Sequence, residues 1–249
     1  MPKYKLQLVR NYSPNFDQRK RKVNDIKFII FHYTGMKNES HATKRLVDSK
    51  SKVSSHYLIR NDGKILVLVP DLYIAWHAGI SSWKKYKFLN KNSIGIEISN
   101  PGHNYYYKKF SSKQVASIIV LSKLLIKKYN IKSENILGHS DIAPDRKKDP
   151  GEKFPWQYLY KKKIGFWHDL DQKLLLKKRF QKTSNIEKKI FIRNLRKIGY
   201  SINLNINQIK FFKMITKAFQ RRFRQKLING IIDQECLIIS NYLVKKINN

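Results

Sequence analysis

Residues 25–35, DIKFIIFHYTG, decide the fold class of this 249-residue chain. They form a compact apolar run that ends in His32 and a glycine, which is typical of a buried strand whose last residues emerge at the edge of a sheet. Two further β-rich runs follow in residues 53–70, VSSHYLIRNDGKILVLVP, where Asn-Asp-Gly indicates a hairpin turn. The sequence therefore predicts a sheet built around the first run.

Strand and helix signals alternate through the following segments. In residues 93–100, SIGIEISN, isoleucines occupy every second position, so Glu97 faces away from the isoleucine side. Residues 111–130 predict a helix, because a capping-box pattern of Ser and Gln precedes a helical stripe of apolar residues. Residues 134–141, ENILGHSD, indicate another short strand that ends at His139. This order of elements predicts an α/β fold with a mixed central β-sheet flanked by helices.

The pattern changes near residue 165, where a charged connector begins. Helical periodicity then returns in three stretches, near 186–197, 208–224 and 233–246. We therefore expect an α/β domain over residues 1–166, a linker over 167–185 and a small all-α three-helix domain over 186–249.

Charge and cysteine content limit the possible classes of protein. The chain has 52 Lys and Arg against 17 Asp and Glu, a net charge of +35, which suits an anionic partner but is equally explained by a compositional bias. A nucleic-acid-binding protein should concentrate its charge on one element, whereas these cations are scattered, so we expect no nucleic-acid partner. The single cysteine, Cys236, excludes an internal disulfide and a cysteine-rich zinc site. No segment reaches the roughly 18 consecutive apolar residues of a membrane span.

Three residues with metal-binding side chains follow predicted strands. His32 closes the first strand, His139 closes a later one, and Asp149 follows ten residues further on, before a proline and a glycine. Two imidazoles and one carboxylate make a catalytic zinc set, because three protein ligands leave a fourth tetrahedral position open for water. Each residue also has an ordinary interpretation: a histidine at a strand end is often only hydrogen-bonded, and an aspartate before Pro-Gly is often a turn former.

Five motifs together resemble a known family of enzymes. They are FIIFHYTG, SSHYLIRNDGKI, AWHAG, NSIGIEISN and GHSDIAPDRKKDPG, and they occur in this order over roughly residues 25–165. They resemble the zinc-dependent N-acetylmuramoyl-L-alanine amidases of the type 2 amidase family, the AmpD/AmiD branch, which share a fold with peptidoglycan recognition proteins. The resemblance implies hydrolysis of the amide bond between the lactyl group of N-acetylmuramic acid and L-alanine, with peptidoglycan or muropeptides as substrate. A non-catalytic peptidoglycan-binding protein is the alternative.

The resemblance also implies roles for individual residues. It gives one zinc ion per chain, held by His32, His139 and Asp149. Glu97 corresponds to the catalytic acid/base, and Lys147, two places before the zinc-binding acid, to the residue that stabilises the oxyanion. The neighbouring Lys148 is also basic, so family spacing alone selects Lys147.

The AWHAG stretch resembles the part of these enzymes that lines the substrate cleft. It implies substrate binding by Trp76 and His77, although an aromatic core anchor is an equally good interpretation of Trp76.

The last segment has a resemblance of its own. Residues 186–247 are similar to the three-helix peptidoglycan-binding domain found in cell-wall hydrolases. Such a domain would raise the effective concentration of substrate at the active site; a bundle that only packs against the first domain is the other interpretation. With no signal peptide and no cysteine available for lipidation near its start, the expected location is the cytoplasm, and the periplasm or cell wall is the alternative.

Overall fold

A computed structural model of the chain describes residues 8–202 and 207–248. The strands in these ranges are β1 (Leu8–Arg10), β2 (Phe16–Asp17), β3 (Phe28–Tyr33), β4 (Tyr57–Ile59), β5 (Ile65–Val67), β6 (Ile74–Ala75), β7 (Ser82–Trp83), β8 (Tyr86–Lys87), β9 (Ser93–Ile98) and β10 (Ile136–Gly138). The α-helices are α1 (Glu39–Val47), α2 (Ser112–Tyr129), α3 (His139–Ile142), α4 (Trp156–Lys161), α5 (Gln172–Lys178), α6 (Asn185–Ile198), α7 (Gln208–Phe223) and α8 (Gln234–Asn248).

Six strands form the central sheet, in the order β1-β5-β4-β9-β3-β10. Strand β3 pairs in parallel with β9 on one side and with β10 on the other. The predicted hairpin is present as the antiparallel pair β4 and β5. The remaining strands form two small antiparallel ribbons, β2-β6 and β7-β8. This mixed sheet, with the helices around it, confirms the predicted α/β fold class.

Helix α2 begins where the sequence predicts. Ser111 is its N-cap: its hydroxyl accepts the backbone N–H of Gln114 at 3.2 Å, and the Gln114 side chain accepts the N–H of Ser111 at 3.0 Å. This capping box satisfies two backbone donors that a helix start leaves without partners. Ile118, Leu121 and Leu125 are buried on one face of the helix and join the main hydrophobic core.

The C-terminal helices α6, α7 and α8 confirm the three predicted helical stretches. The segment predicted as a linker contains helix α5, whose Leu175 is buried. Arg179, at the end of α5, donates to both carboxylate oxygens of Glu235 on α8, at 2.6 and 2.8 Å. This part of the chain is therefore a packed helix. None of the helices in the described ranges is both long and apolar enough to cross a lipid bilayer.

The C-terminal helices pack against the sheet domain through a tight contact at Gly199. A Cβ atom at this position would lie only 2.4 Å from the Trp83 ring, so the close approach requires glycine. The next residue, Tyr200, packs edge to face on Trp83 with ring centroids 4.8 Å apart. Buried apolar residues from both sides of the predicted linker consequently form one continuous core cluster.

Candidate active site

Parallel pairing of β3 with β10 brings His32 and His139 together, and the loop after α3 adds Asp149. His32 lies near the end of β3, and His139 follows directly after β10, which pairs with β3. His139 is the first residue of the short helix α3 and not the last residue of a strand, as the sequence had suggested. Asp149 lies in the loop beyond α3, and its backbone oxygen accepts the N–H of Ser140 at 2.8 Å, which ties that loop to α3.

The three side chains point one donor atom each at a common centre. Nδ1 of His32 lies 2.9 Å from Nδ1 of His139, and each of these nitrogens lies 3.0 Å from Oδ2 of Asp149. All three residues are buried. Nε2 of His139 lies 3.2 Å from the backbone oxygen of Ala78, and a ring hydrogen donated to that oxygen leaves the Nδ1 lone pair for the common centre.

This donor set fits a metal ion. Burial and the neighbouring His139 lower the pKa of His32 to about 4, so the imidazole is neutral near pH 7, as a metal ligand must be. One carboxylate oxygen and two imidazole nitrogens thus converge, and they are a suitable set for a divalent metal.

Glu97 lies beside His32 on the neighbouring strand. The two residues are register partners in the β3–β9 pair, so both side chains emerge on the same face of the sheet. Burial and the charge of Asp149 raise the pKa of Glu97 to about 8, while Lys147 opposes this shift. Oε2 of Glu97 is buried and has no hydrogen-bond partner among the described residues. This oxygen is therefore available to a proton, a water molecule or a ligand atom.

Lys147 and Lys148 differ in their relation to this centre. Lys147 is half-buried and Lys148 is exposed. The charge of Lys147 lowers the pKa of both Glu97 and His32, which places its ammonium group near them.

A known protein family matches the part of the sequence that contains these residues. The family model described as N-acetylmuramoyl-L-alanine amidase matches residues 22–152, which include the three convergent donors, Glu97 and Lys147.

The chain belongs to the N-acetylmuramoyl-L-alanine amidase family.

Individual members of the N-acetylmuramoyl-L-alanine amidase family are similar over nearly the whole chain. The N-acetylmuramoyl-L-alanine amidase AmiD of Escherichia coli (strain K12) is 38% identical over 234 residues, which are 89% of this chain and 83% of AmiD. A solved complex of E. coli AmiD with anhydro-N-acetylmuramic acid-L-Ala-D-γ-Glu-L-Lys has a TM-score of 0.81 and 35% identity, covering 92% of this chain and 93% of that one. AmpDh3 of Pseudomonas aeruginosa, in complex with an anhydromuramic pentapeptide, has a TM-score of 0.78 and 28% identity over 92% and 94% of the two chains.

The candidate active site of this amidase-family chain opens into a cavity of about 580 Å³. Trp76 and His77 both line it, together with the convergent donors and Glu97. The indole N–H of Trp76 donates to Asp17 at 2.7 Å. Both ring nitrogens of His77 are hydrogen-bonded within the protein. Four cationic side chains also line the cavity: Arg45, Arg146, Lys147 and Lys148.

Two further residues line the cavity of the amidase site that the sequence analysis did not select. The Tyr33 hydroxyl lies 2.9 Å from Nδ1 of His103, and Nε2 of His103 lies 3.0 Å from Glu152. With its Nε2–H directed to the carboxylate, His103 accepts the Tyr33 hydroxyl. His103 lies five residues after the end of β9, the strand of Glu97, and beyond an Asn-Pro-Gly segment, so no strand-end signal pointed to it.

Arg146 is the third residue that the sequence did not single out. Its Nη2 donates to the backbone oxygen of Ala78 at 2.7 Å, and its Nε donates to that of Ile80 at 3.1 Å. It therefore ties the loop that carries Asp149 to the loop that carries Trp76 and His77. Its sequence context, between an aspartate and two lysines, gave no signal for such a contact.

Proposed function

We propose that this protein hydrolyses the amide bond between the lactyl group of N-acetylmuramic acid and L-alanine in peptidoglycan-derived muropeptides. One observation carries the proposal: three convergent metal donors lie in the same cavity as a buried carboxyl, Glu97, that has an oxygen without a partner. Amide hydrolysis needs an activated water, a proton carrier and a group that stabilises negative charge on the carbonyl oxygen. The cavity offers a candidate for each.

We propose zinc as the metal, held by His32, His139 and Asp149. Two imidazoles and one carboxylate match the three-ligand sets of catalytic zinc sites, which keep one coordination position open. A bound zinc ion supplies Lewis-acid polarisation and makes water a stronger acid. The remaining chemistry belongs to the side chains of the protein.

Glu97 is the proposed proton carrier. A buried carboxyl whose pKa is raised by its surroundings accepts and releases a proton nearer to neutral pH than an exposed one, which suits a group that must do both in one turnover. Its Oε2, which lacks a partner, takes a proton from the attacking water and later delivers it to the departing nitrogen. Without this delivery the nitrogen would leave as a poorly stabilised anion.

Lys147 is the proposed source of positive charge for the carbonyl oxygen. Its ammonium group acts on Glu97 and His32 and lines the same cavity. A fixed cation stabilises the oxygen most when its charge is fully developed, which is in the transition state.

The charge of the cavity supports a muropeptide as substrate. Stem peptides of muropeptides carry carboxylates, and the cations Arg45, Arg146 and Lys148 lie on the cavity wall around the proposed chemistry. A volume of about 580 Å³ is within the range of small-ligand sites. Because the solved AmiD complex contains an anhydro-N-acetylmuramyl tripeptide, we propose this class of compound as a substrate here as well.

We further propose that the C-terminal helices bind polymeric peptidoglycan. A groove of about 990 Å³ lies between α6 and α7, with Ile192 and Phe212 among its apolar residues. Lys188, Arg193 and Lys213 also line it, and no acidic residue does among those that the structure describes. Such a surface is complementary to the carboxylates of stem peptides in the intact wall.

The central experiment is product analysis by mass spectrometry. The purified protein is incubated with a soluble anhydro-N-acetylmuramyl tripeptide, and release of the free peptide and the free sugar acid is the expected result. Glu97→Gln is the matched control, with turnover reduced by about 100-fold or more and zinc retained. Binding of the muropeptide without release by the zinc-loaded wild type would instead identify a recognition protein.

A sedimentation assay with insoluble peptidoglycan tests the groove. The double variant Lys188→Glu and Arg193→Glu should bind the polymer more weakly while hydrolysing the soluble tripeptide at the wild-type rate. The control is the same charge reversal at Lys173 and Lys177, which are exposed on α5 outside the groove. Equal loss of binding in both variants would mean that total charge, and not the groove, attracts the polymer.

A further inference from the structure

His77 lies beside His32 and uses both of its ring nitrogens inside the protein. Its Nδ1 lies 3.0 Å from Nε2 of His32, and its Nε2 lies 3.2 Å from the hydroxyl oxygen of Ser93. The Ser93 hydroxyl donates to the backbone oxygen of Leu89 at 2.6 Å. These four residues form one continuous hydrogen-bonded chain, which we call the His77 relay.

The direction of each hydrogen bond in the His77 relay follows from its last member. Because Ser93 donates its only hydroxyl hydrogen to Leu89, its oxygen accepts the Nε2–H of His77. A neutral imidazole carries one ring hydrogen, so Nδ1 of His77 is an acceptor and takes the Nε2–H of His32. Nδ1 of His32 is then unprotonated, and this is the atom that faces the other two metal donors.

The His77 ring packs directly against the backbone of Gly95. Gly95 lies on β9, two residues before Glu97, and a Cβ atom there would come within 2.4 Å of Cγ of His77. Any side chain at this position would therefore displace the His77 ring.

We propose that His77 is a positioning residue, which holds His32 in the tautomer whose Nδ1 lone pair faces the metal. This inference rests on the metal site of the proposed function. The physical need for it lies in Asp149, whose Oδ2 is 3.0 Å from Nδ1 of His32. Without the relay, His32 can place its hydrogen on Nδ1 and donate it to this carboxylate. That tautomer competes with the metal, because the nitrogen lone pair is then no longer available.

His32 differs from most metal-binding histidines in the group that accepts its second ring hydrogen. Such histidines commonly donate their second ring hydrogen to a carboxylate or a backbone oxygen. His139 follows this pattern through Ala78, whereas His32 donates to a neutral imidazole. His77 therefore fixes a tautomer without adding a second negative charge beside Asp149.

Zinc affinity of the full-length protein tests the inference. The affinity is measured by competition with a chromophoric chelator, and thermal unfolding of the metal-free forms is measured alongside. His77→Leu removes the acceptor and should weaken zinc binding by about 10-fold to 100-fold, the usual effect of losing a supporting partner of a ligand. His77→Gln can accept at its amide oxygen and should restore most of the affinity. Ser93→Ala leaves the tautomer of His77 free and should weaken zinc binding by a smaller factor, about threefold.

His168→Leu is the matched control. This histidine is also buried and donates one ring hydrogen, to the backbone oxygen of Phe223 on α7, but it does not contact the metal donors. It should lower the unfolding temperature without changing zinc affinity. If His77→Leu behaves in the same way, His77 is only a packing residue and the inference is wrong.

The results distinguish a failure of this inference from a failure of the proposed function. A wild-type protein that binds no zinc would contradict the proposed function itself. A wild type that binds zinc and hydrolyses muropeptide, with variants at His77 and Ser93 that bind zinc equally well, would contradict only the positioning role. If His77→Leu does not fold, the comparison of Ser93→Ala with wild type decides in the same way.

Discussion

Arg222 of helix α7 forms a buried ion pair with Asp141, two residues after the candidate metal ligand His139. Nη1 of Arg222 donates to Oδ2 of Asp141 at 2.5 Å, and the same carboxylate accepts the hydroxyl of Tyr200 at 2.7 Å and the backbone N–H of Gly138 at 2.8 Å. Asp141 thus connects the turn that presents His139 to the C-terminal helices. The helical segment therefore contributes to the scaffold of the candidate active site in addition to any role in binding peptidoglycan.

The first prediction concerns the stability that this pair provides. Arg222→Ala leaves the Asp141 carboxylate buried without its cationic partner. It should therefore lower the free energy of unfolding by about 3–5 kcal/mol. Denaturant unfolding of the metal-free protein measures this. Arg60→Ala is the control, because Arg60 pairs with Glu39 at a similar distance, 2.8 Å, but its side chain is 40% exposed. The exposed pair should contribute no more than about 1 kcal/mol. Equal effects of the two substitutions would contradict the importance assigned to burial.

The second prediction concerns Glu97 and pH. In the metal-free folded protein its pKa is raised to about 8 from 4.5, so the folded state holds a proton that the unfolded state has already released in the interval between these values. The free energy of unfolding contributed by this group therefore falls as pH rises from about 5 to 8. Glu97→Gln cannot lose a proton and should be more stable than wild type at pH 8, by on the order of 3 kcal/mol, with little difference at pH 5.

Metal-free denaturation curves of the two proteins at several pH values check this prediction. Parallel pH profiles would show that Glu97 titrates normally and that its environment does not raise its pKa. The proposed mechanism also predicts low activity for Glu97→Gln. Greater stability together with lower turnover would show that the ionisable Glu97 destabilises the fold but is needed for activity.

Sequence patterns predicted the local elements of this fold, whereas tertiary partners had to come from the structure. Short-range spacing predicted the Ser111 capping box and the strand that ends near His32, and the structure contains both. The pairing of Asp141 with Arg222 joins residues 81 positions apart, and no periodicity indicates it. The sequence did not indicate helix α5, because its three leucines are consecutive and do not form a helical apolar stripe, and only Leu175 is buried.

In the candidate site, too, local spacing predicted individual residues, whereas the contacts between them had to come from the structure. His32 and His139 could each be predicted from its place at the end of a predicted strand, but that spacing does not show how one histidine contacts another. Which nitrogen of His32 is free depends on His77 and Ser93, and these residues come from other parts of the chain. Gly95 could have been recognised as a position where another side chain approaches the strand, since glycine inside a strand often has that meaning.

The third prediction is metal content. The purified protein should hold about one zinc ion per chain and lose activity to chelators, because the two histidines and Asp149 form a three-ligand site. His139→Ala and Asp149→Ala should each abolish both zinc binding and hydrolysis, as measured by elemental analysis and product release. An active preparation free of zinc would contradict the choice of metal. Loss of zinc in Glu97→Gln would make Glu97 a ligand and change its assigned role.

The last prediction distinguishes Lys147 from Lys148. If Lys147 stabilises charge on the carbonyl oxygen, Lys147→Ala should lower kcat by about 100-fold or more, the scale of losing one oxyanion donor. KM should change little, because this interaction strengthens only in the transition state. Lys148 is exposed, so Lys148→Ala should act mainly on KM, and its effect should diminish with added salt, as expected of a solvated cation near an anionic substrate.

Both lysine variants must be compared at equal zinc occupancy, because they lie in the loop that carries Asp149, and disorder of this loop would also reduce activity. Lys147→Arg is a useful third variant: it keeps the charge but changes the geometry of the donor, so it should recover part of kcat if charge is the main contribution. Because Lys147 also opposes the raised pKa of Glu97, its removal should move the pH profile of kcat to higher pH. An inactive Lys148→Ala beside an active Lys147→Ala would place the oxyanion-stabilising cation one residue later in the loop, and the half-buried position of Lys147 would then need another explanation.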